Sequence, residues 1–253
     1  MQRLHYFFIV TLSLLSMQSI AQRSVSDSSI FIPSVGVHFS YHIPSGDLSR
    51  FYGNASAIGA DFNFKLKSQW IVGTFFEYYF SDNIKDRAGY FKGIQNSQGF
   101  VIDGNGQFAE IFLYERGFNI QAYAGYQFTV FSPNPNSGPF IQVGVGYMQY
   151  WTKIENPGMT APQINGKYMK MYDRLSGGIS STQLIGYRYM GDRNLMNIYA
   201  GFEFTQGWTK SLRSYNADFA PGATLNYFVW TTAFKVGWVI PFYPRTPKKY
   251  YYY

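Results

Sequence analysis

Residues 225–242 read LNYFVWTTAFKVGWVIPF, and the alternation within them decides the fold. Tyr227, Val229, Thr231, Ala233, Lys235 and Gly237 share one face. Phe228, Trp230, Thr232, Phe234, Val236, Trp238 and Ile240 share the other. Successive side chains of a strand point to opposite sides, so this segment has an apolar, aromatic face and a mixed face that carries a charge. Strands of soluble sandwiches run to about six residues. This apolar face is longer and has Trp near its ends. A strand that crosses a bilayer needs about 9–11 residues, with aromatic residues at the two interfaces. The segment is therefore expected to be the closing strand of a membrane barrel. The competing fold, a lipocalin-like soluble barrel, would turn the same aromatic face inward.

The chain's start is consistent with export. Arg3 precedes an apolar run over residues 6–15, and Ser19, Ile20 and Ala21 supply small residues before Gln22. This pattern predicts a secretory signal peptide over 1–21. A membrane anchor helix is the weaker reading, because Thr11, Ser13, Ser16 and Gln18 interrupt the apolar run. Residues 22–32 are expected to be a periplasmic lead-in, 33–242 the barrel and 243–253 a periplasmic tail. Cys is absent, which removes a disulfide framework and a lipidated Cys. No later stretch holds about 18 consecutive apolar residues, so a helical membrane protein is excluded. The chain has 23 Tyr, 24 Phe and 5 Trp, a skew that suits aromatic girdles on many strands. A net charge of +7 points, in an exported chain, to outer-membrane lipids and anionic lipopolysaccharide as counter-charge rather than to nucleic acid.

The same alternation recurs along the chain. Strands are expected at 33–42, 55–66, 70–80, 107–131 (bent at Glu115, Arg116 and Gly117), 141–148, 175–190, 196–210 and 225–242. The connections alternate in length, the short ones being near Lys67, Ser132 and Gly191. Membrane barrels have short periplasmic turns and longer extracellular loops. The fold predicted is an all-β, eight-stranded antiparallel up-and-down transmembrane β-barrel with a filled polar lumen. A true turn at 115–118 would instead require ten strands.

An eight-stranded barrel is just wide enough inside for side chains to fill it. The faces assigned inward carry Asp61, Glu77 and Glu203 against Lys65, Arg188 and Lys235. Unpaired, these charges would be costly, so a hydrogen-bonded ion network is expected. A gated ion path is the alternative, disfavoured because Gln, Asn and Tyr share the same space.

Site motifs are sparse. His38 and His42 both face the lumen, but with no Cys and only His5 besides, no metal site and no cofactor are expected. The run DGNG at 103–106 resembles a calcium loop, but its twelfth position is Tyr114 rather than Glu, so it reads as a loop tip. His42, Ser45 and Asp47 cluster at the expected extracellular rim. A lipid-modifying, acyltransferase-like enzyme using His42 is therefore the alternative function, since nucleophile activation needs a base within hydrogen-bond reach. The run PSGD is also ordinary turn chemistry.

The signal ending at Ala21 and Gln22, DLSRF at 47–51, YERGF at 114–118, YDRL at 172–175 and the Tyr-rich tail resemble uncharacterised outer-membrane barrels of the Bacteroidota. The architecture looks like that of small OmpA/OmpX-type barrels. The resemblance implies no activity. Some such barrels serve in secretion or outer-membrane assembly machines, so a partner role is implied by analogy. The expected function is a non-enzymatic, structural or partner-binding barrel, with a subunit of a larger envelope complex as one form of that role. Its extracellular binding surface is expected at Arg87, Tyr90, Phe91, Lys167, Tyr168, Lys170, Tyr172 and Arg174, because exposed aromatic and basic residues favour binding. The tail is a second candidate contact for a protein partner.

Overall fold

The computed structural model describes residues 28–242, apart from 88, 192–195 and 218–224. The expected signal peptide, the start of the expected lead-in and the expected tail lie outside the described residues. Eight strands follow in order: β1 (Ile32–Gly46), β2 (Ala55–Lys65), β3 (Trp70–Ser81), β4 (Phe112–Gln127), β5 (Gly138–Glu155), β6 (Ser176–Met190), β7 (Asn197–Ser211) and β8 (Asn226–Pro241). Each pairs antiparallel with its neighbour in sequence, and β1 pairs with β8 through Val37 opposite Trp238. The result is a closed barrel with no free sheet edge.

The two faces separate as the alternation requires. On β8, Phe234 is 49% exposed while the adjacent Lys235 is 1% exposed. Phe39, Ile58, Phe76, Ile120, Val145 and Phe202 continue the apolar outer band around the wall. Such a continuous apolar band on a closed barrel is the surface of a protein that spans hydrocarbon. The soluble-barrel alternative, which needs these side chains inside, does not describe this molecule. Strand lengths of 11 residues in β2 to 18 in β5 equal or exceed what a bilayer demands.

Three strands depart from the sequence reading by more than a residue or two: β5 runs over Gly138–Glu155 rather than 141–148, and β1 and β4 also differ. β1 runs on to Gly46, because its last residues pair with β8 as far as Val229. β4 starts at Phe112 rather than 107, and it is straight across 115–117. Its register is unbroken there, with Phe80 opposite Arg116 on one side and Trp151 on the other. Gly117 marks close packing, not a bulge: a Cβ there would come within 2.7 Å of the Gln149 carbonyl oxygen and 3.1 Å of the Tyr150 Cβ.

Connections at 66–69, 128–137 and 191–196 lie at one end of the barrel. Those at 47–54, 82–111, 156–175 and 212–225, longer on average although 47–54 is shorter than 128–137, lie at the other. At the long-loop end, Tyr52, Tyr90, Phe91, Ile164 and Tyr172 enter the barrel mouth. They pack on Leu113, Met148, Tyr150 and Val229, the inward-facing apolar residues of β4, β5 and β8. The lumen is therefore filled by strand side chains in the middle and closed above by loops.

Candidate functional site

The polar cluster in the lumen is built by register. His38, Ser40 and His42 alternate inward on β1, and Asp61, Glu77, Glu203 and Lys235 come inward from β2, β3, β7 and β8. Room for them is made by small residues opposite. Gly59 faces His38 across the β1–β2 ladder, and a Cβ at Gly59 would overlap the imidazole. All six residues expected to form the ion network are buried.

The pairing among them is uneven. Lys235 bonds Glu203 and stands 3.6 Å from Glu77. Glu77 also lies 3.4 Å from His42 Nε2 and 3.7 Å from His38 Nε2, and it accepts from Ser40. Asp61 sits 3.6 Å from His38 Nδ1 and accepts from Asn63 at 2.7 Å. His38 thus joins carboxylates on β2 and β3, and His42 approaches that of β3.

Lys65 and Arg188 depart from the expected ion pairs. Among the described residues, Lys65 has no carboxylate within the distance of an ion pair; its Nζ donates to Ser29 Oγ and Asn136 Oδ1, both at 3.1 Å. The reason is its position at the end of β2, where the short-turn segments close the barrel. Arg188 lies over the rings of Phe140 and Tyr199, 5.5 and 5.9 Å from their centroids.

Free space in this cluster is small. A cavity of about 20 Å³ is bordered by His38, Asp61, Tyr123, Arg188 and Tyr199, and another of about 20 Å³ lies by His42, Tyr79 and Glu115. Each has room for about one water. His42, Glu77 and Glu203 place one ligand atom each within 4.8 Å of one another. Sequence reasoning missed this trio because β1, β3 and β7 meet only across the lumen. The Lys235 ammonium, bonded between the two carboxylates, already supplies a cation there.

His42, Ser45 and Asp47 are not brought together. His42 points inward to Ser40 Oγ at 2.9 Å, whereas Ser45 is exposed on the other side of the same strand. Asp47 Oδ2 accepts the Phe228 N–H at 2.9 Å, and its Oδ1 is 3.3 Å from Arg50. An odd spacing along a strand puts His42 and Ser45 on opposite faces, so His42 does not reach this hydroxyl.

The expected extracellular surface divides in two. Arg87, Lys167, Tyr168 and Lys170 are exposed. Tyr90, Phe91, Tyr172 and Arg174 are buried, which corrects the expectation that they form an outer face. They are drawn inward by the apolar ends of β4, β5 and β8. Tyr90 shares the Thr152 hydroxyl with Tyr52, at 2.5 and 2.8 Å, and the Arg174 guanidinium stacks 3.6 Å over the Tyr90 ring. Arg174 also lies 3.4 Å from Asp86. Asp173 bonds Arg213 and raises its pKa above the ordinary value.

Sequence reasoning did not find the hairpin at 101–109, which follows a bridged loop at 95–101. There Phe100 and Phe108 stack with centroids 4.6 Å apart while remaining 50% and 58% exposed. Its turn is organised by Asp103 Oδ1, which accepts the N–H groups of Asn105 and Gln107 at 2.8 Å each. The hairpin is tied to the next loop by Gly104 N–H to the Thr160 carbonyl at 2.8 Å.

No protein-family model matches the chain, and no curated protein does. Among solved structures, the chain is similar to Ail, the attachment invasion locus protein of Yersinia pestis. That match has 8% identity, covers 83% of this chain and 99% of Ail, and has a TM-score of 0.46. Ail has also been solved with the heparin analogue sucrose octasulfate, and that structure matches at a TM-score of 0.44. The N-terminal β-barrel domain of Pseudomonas aeruginosa OprF matches at 12% identity over 81% of this chain and 96% of that one, with a TM-score of 0.36. The outer-membrane protein AlkL in lipid bilayers matches at 10% identity over 92% and 100%, with a TM-score of 0.37. The barrel itself is established by the pairing of its own strands.

Proposed function

We propose that this chain is an integral outer-membrane barrel with a non-enzymatic, partner-binding role exerted through its long-loop end, which faces outward from the cell. The observation that carries this reading is the folded cap. Its loops are anchored by their own buried core, and they hold a fixed outer surface above a filled lumen. That surface exposes Lys85, Arg87, Lys92, Lys167 and Lys170, with the exposed acids Asp82 and Glu110 and the half-exposed Asp86 and Asp103 nearby. Its aromatic groups are Phe100, Phe108 and Tyr168. A basic surface with exposed rings suits an anionic glycolipid such as lipopolysaccharide, or an acidic envelope protein. Short turns at one end and long loops at the other orient such barrels with the loops outside. The sequence resemblance to Bacteroidota outer-membrane barrels agrees with this placement, and a role as a subunit of an envelope complex follows the same line.

The test compares the full chain with an Arg87→Glu/Lys167→Glu/Lys170→Glu variant in proteoliposomes. The readout is capture of lipopolysaccharide micelles at low and physiological salt. The reading expects the variant to lose most capture, and the native protein to weaken as salt rises. Equal capture by both proteins would refute the cap as the binding surface. Turnover of lipid abolished by His42→Ala would refute the non-enzymatic role.

A further inference from the structure

The outer wall of β6–β7 carries a feature that a lipid-facing surface does not need. Ser181, Gln183 and Gln206 point outward and are half-buried. Ser181 Oγ donates to Gln206 Oε1, Gln183 Nε2 donates to the same oxygen, and Gln206 Nε2 donates to Gln183 Oε1, each at 2.9 Å. Register puts Val145 beside Ser181 and Val143 beside Gln183, with Phe204 and Trp230 beyond. Along β6 the patch is bounded by Ile179 and Ile185, which are 63% and 53% exposed. The three polar side chains therefore sit at hydrocarbon depth.

Their mutual bonds do not satisfy them. An amide offers two N–H donors and two acceptor sites on its oxygen. After the bonds above, one N–H remains on Gln183 and one on Gln206, with acceptor capacity left on Gln183 Oε1 and Ser181 Oγ. In lipid such groups find no partner, and polar side chains on membrane-spanning segments serve as contacts between segments. Donors and acceptors remain together in one small patch, so a second copy brought up by a two-fold rotation can offer each the partner it lacks, as an isologous dimer requires.

We propose that the β6–β7 wall is a dimerisation surface for a second copy of this chain within the membrane, its centre formed by Gln183, Gln206 and Ser181. Val143, Val145, Ile179 and Ile185 form the apolar surround, which excludes lipid from the amide contacts. The dimer is independent of the binding role assigned to the cap.

The chain has no Cys, so single-Cys variants report position cleanly. In native membranes, Ile185→Cys treated with a short bis-maleimide should give a product of twice the chain's mass. Phe76→Cys, on β3 at the opposite wall, should not. Adding Gln183→Leu/Gln206→Leu should lower the Ile185→Cys dimer yield roughly fivefold to tenfold, with heat-modifiable gel migration confirming a folded barrel. Gln183→Leu alone should lower it less, and serves if the double variant folds poorly. The Arg87/Lys167/Lys170 charge reversals should leave the yield unchanged. The proposal fails if Ile185→Cys cross-links no better than Phe76→Cys, if the product contains a different polypeptide, or if the leucine variants leave the yield intact.

Discussion

The middle of the lumen and its long-loop end are filled by opposite means. In the middle, ionised and hydrogen-bonded groups borne on strands, with His38, His42, Glu77, Glu203 and Lys235 at their centre, occupy the space. At the long-loop end, Tyr52, Tyr90, Phe91, Ile164 and Tyr172 from the loops do so. Strand register fixes a side chain's place within the lumen, so charges there can be matched to partners across the barrel. Loops have no such register, and an apolar plug, which tolerates imprecise contact, suits them. The two regions are linked: the His42 ring meets Tyr79 edge-on at 4.9 Å, and one small cavity is bordered both by His42 and Glu115 and by Leu48, Met148 and Tyr150 of the cap's core. The plug keeps water from the charges below it, and the charges in turn need the partners they have.

The largest effect is expected where that mutual need is broken. Lys235→Met leaves Glu77 and Glu203 buried without their ammonium, and removing one partner of a buried pair costs about 3–5 kcal/mol. Urea unfolding in detergent micelles, followed by tryptophan fluorescence, measures it. Lys235→Met/Glu203→Leu should recover part of the loss, because the two sites are in direct contact and do not add. A loss under about 1 kcal/mol for the single variant would mean that water reaches the carboxylates, against the small cavities seen here.

A smaller and more local effect is expected above. Tyr90→Ala removes a fully buried ring from the cap. Truncation of a buried aromatic costs about 3–5 kcal/mol in a rigid core, and we expect about 2–3 kcal/mol here because loops can settle into the gap. The cost should appear as opening of the cap alone. Limited proteolysis should cut within 82–111 at least several-fold faster, while the unfolding midpoint of the barrel stays put. A shifted barrel midpoint would show that plug and charge cluster unfold as one unit.

The contrast also marks what was legible in the sequence. Period-two alternation located eight strands and put the charges on the inner face, because a strand's two faces meet hydrocarbon on one side and packed polar groups on the other. It could not pair those charges. Pairing depends on which strands face each other across the lumen, so Lys65 was matched by sign to carboxylates when its partners are Ser29 and Asn136. The histidines were placed inward correctly, but their contacts with Glu77 come from β3 and were invisible along β1. The plug was misread for a different reason. Tyr90 and Phe91 lie among Lys85, Arg87, Lys92 and Asn96, and local polarity argued for exposure. The useful signal was elsewhere: Leu113, Met148, Tyr150 and Val229 are inward positions at the long-loop ends of their strands, and apolar groups there require a cover. His42 and Ser45 were joined by closeness in sequence, which on a strand at odd spacing means opposite faces.

The smallest effect concerns the cap's outermost element, where neither buried charge nor plug contributes. The N–H donated by Gln107, with that of Asn105, holds the Asp103 carboxylate below the usual carboxylate range. A carboxyl whose pKa is depressed on folding stabilises the folded form fully above its unfolded value, about 3.9, and loses that contribution as pH falls through the folded one. The turn at 103–107 should therefore be indifferent to pH between about 5 and 8 and loosen only below about pH 4. Amide exchange at Asn105 and Gln107 reports it directly. Asp103→Asn keeps an acceptor oxygen but no charge, so it should exchange modestly faster at neutral pH and lose the acid dependence. The Phe100–Phe108 stack should persist in that variant, whereas the tie from Gly104 to Thr160 should loosen with it, since the Asp103 carboxylate also bonds the Thr160 side chain. Loss of cap protection in Asp103→Asn as large as that in Tyr90→Ala would mean that the hairpin, rather than the buried rings, holds the cap in place.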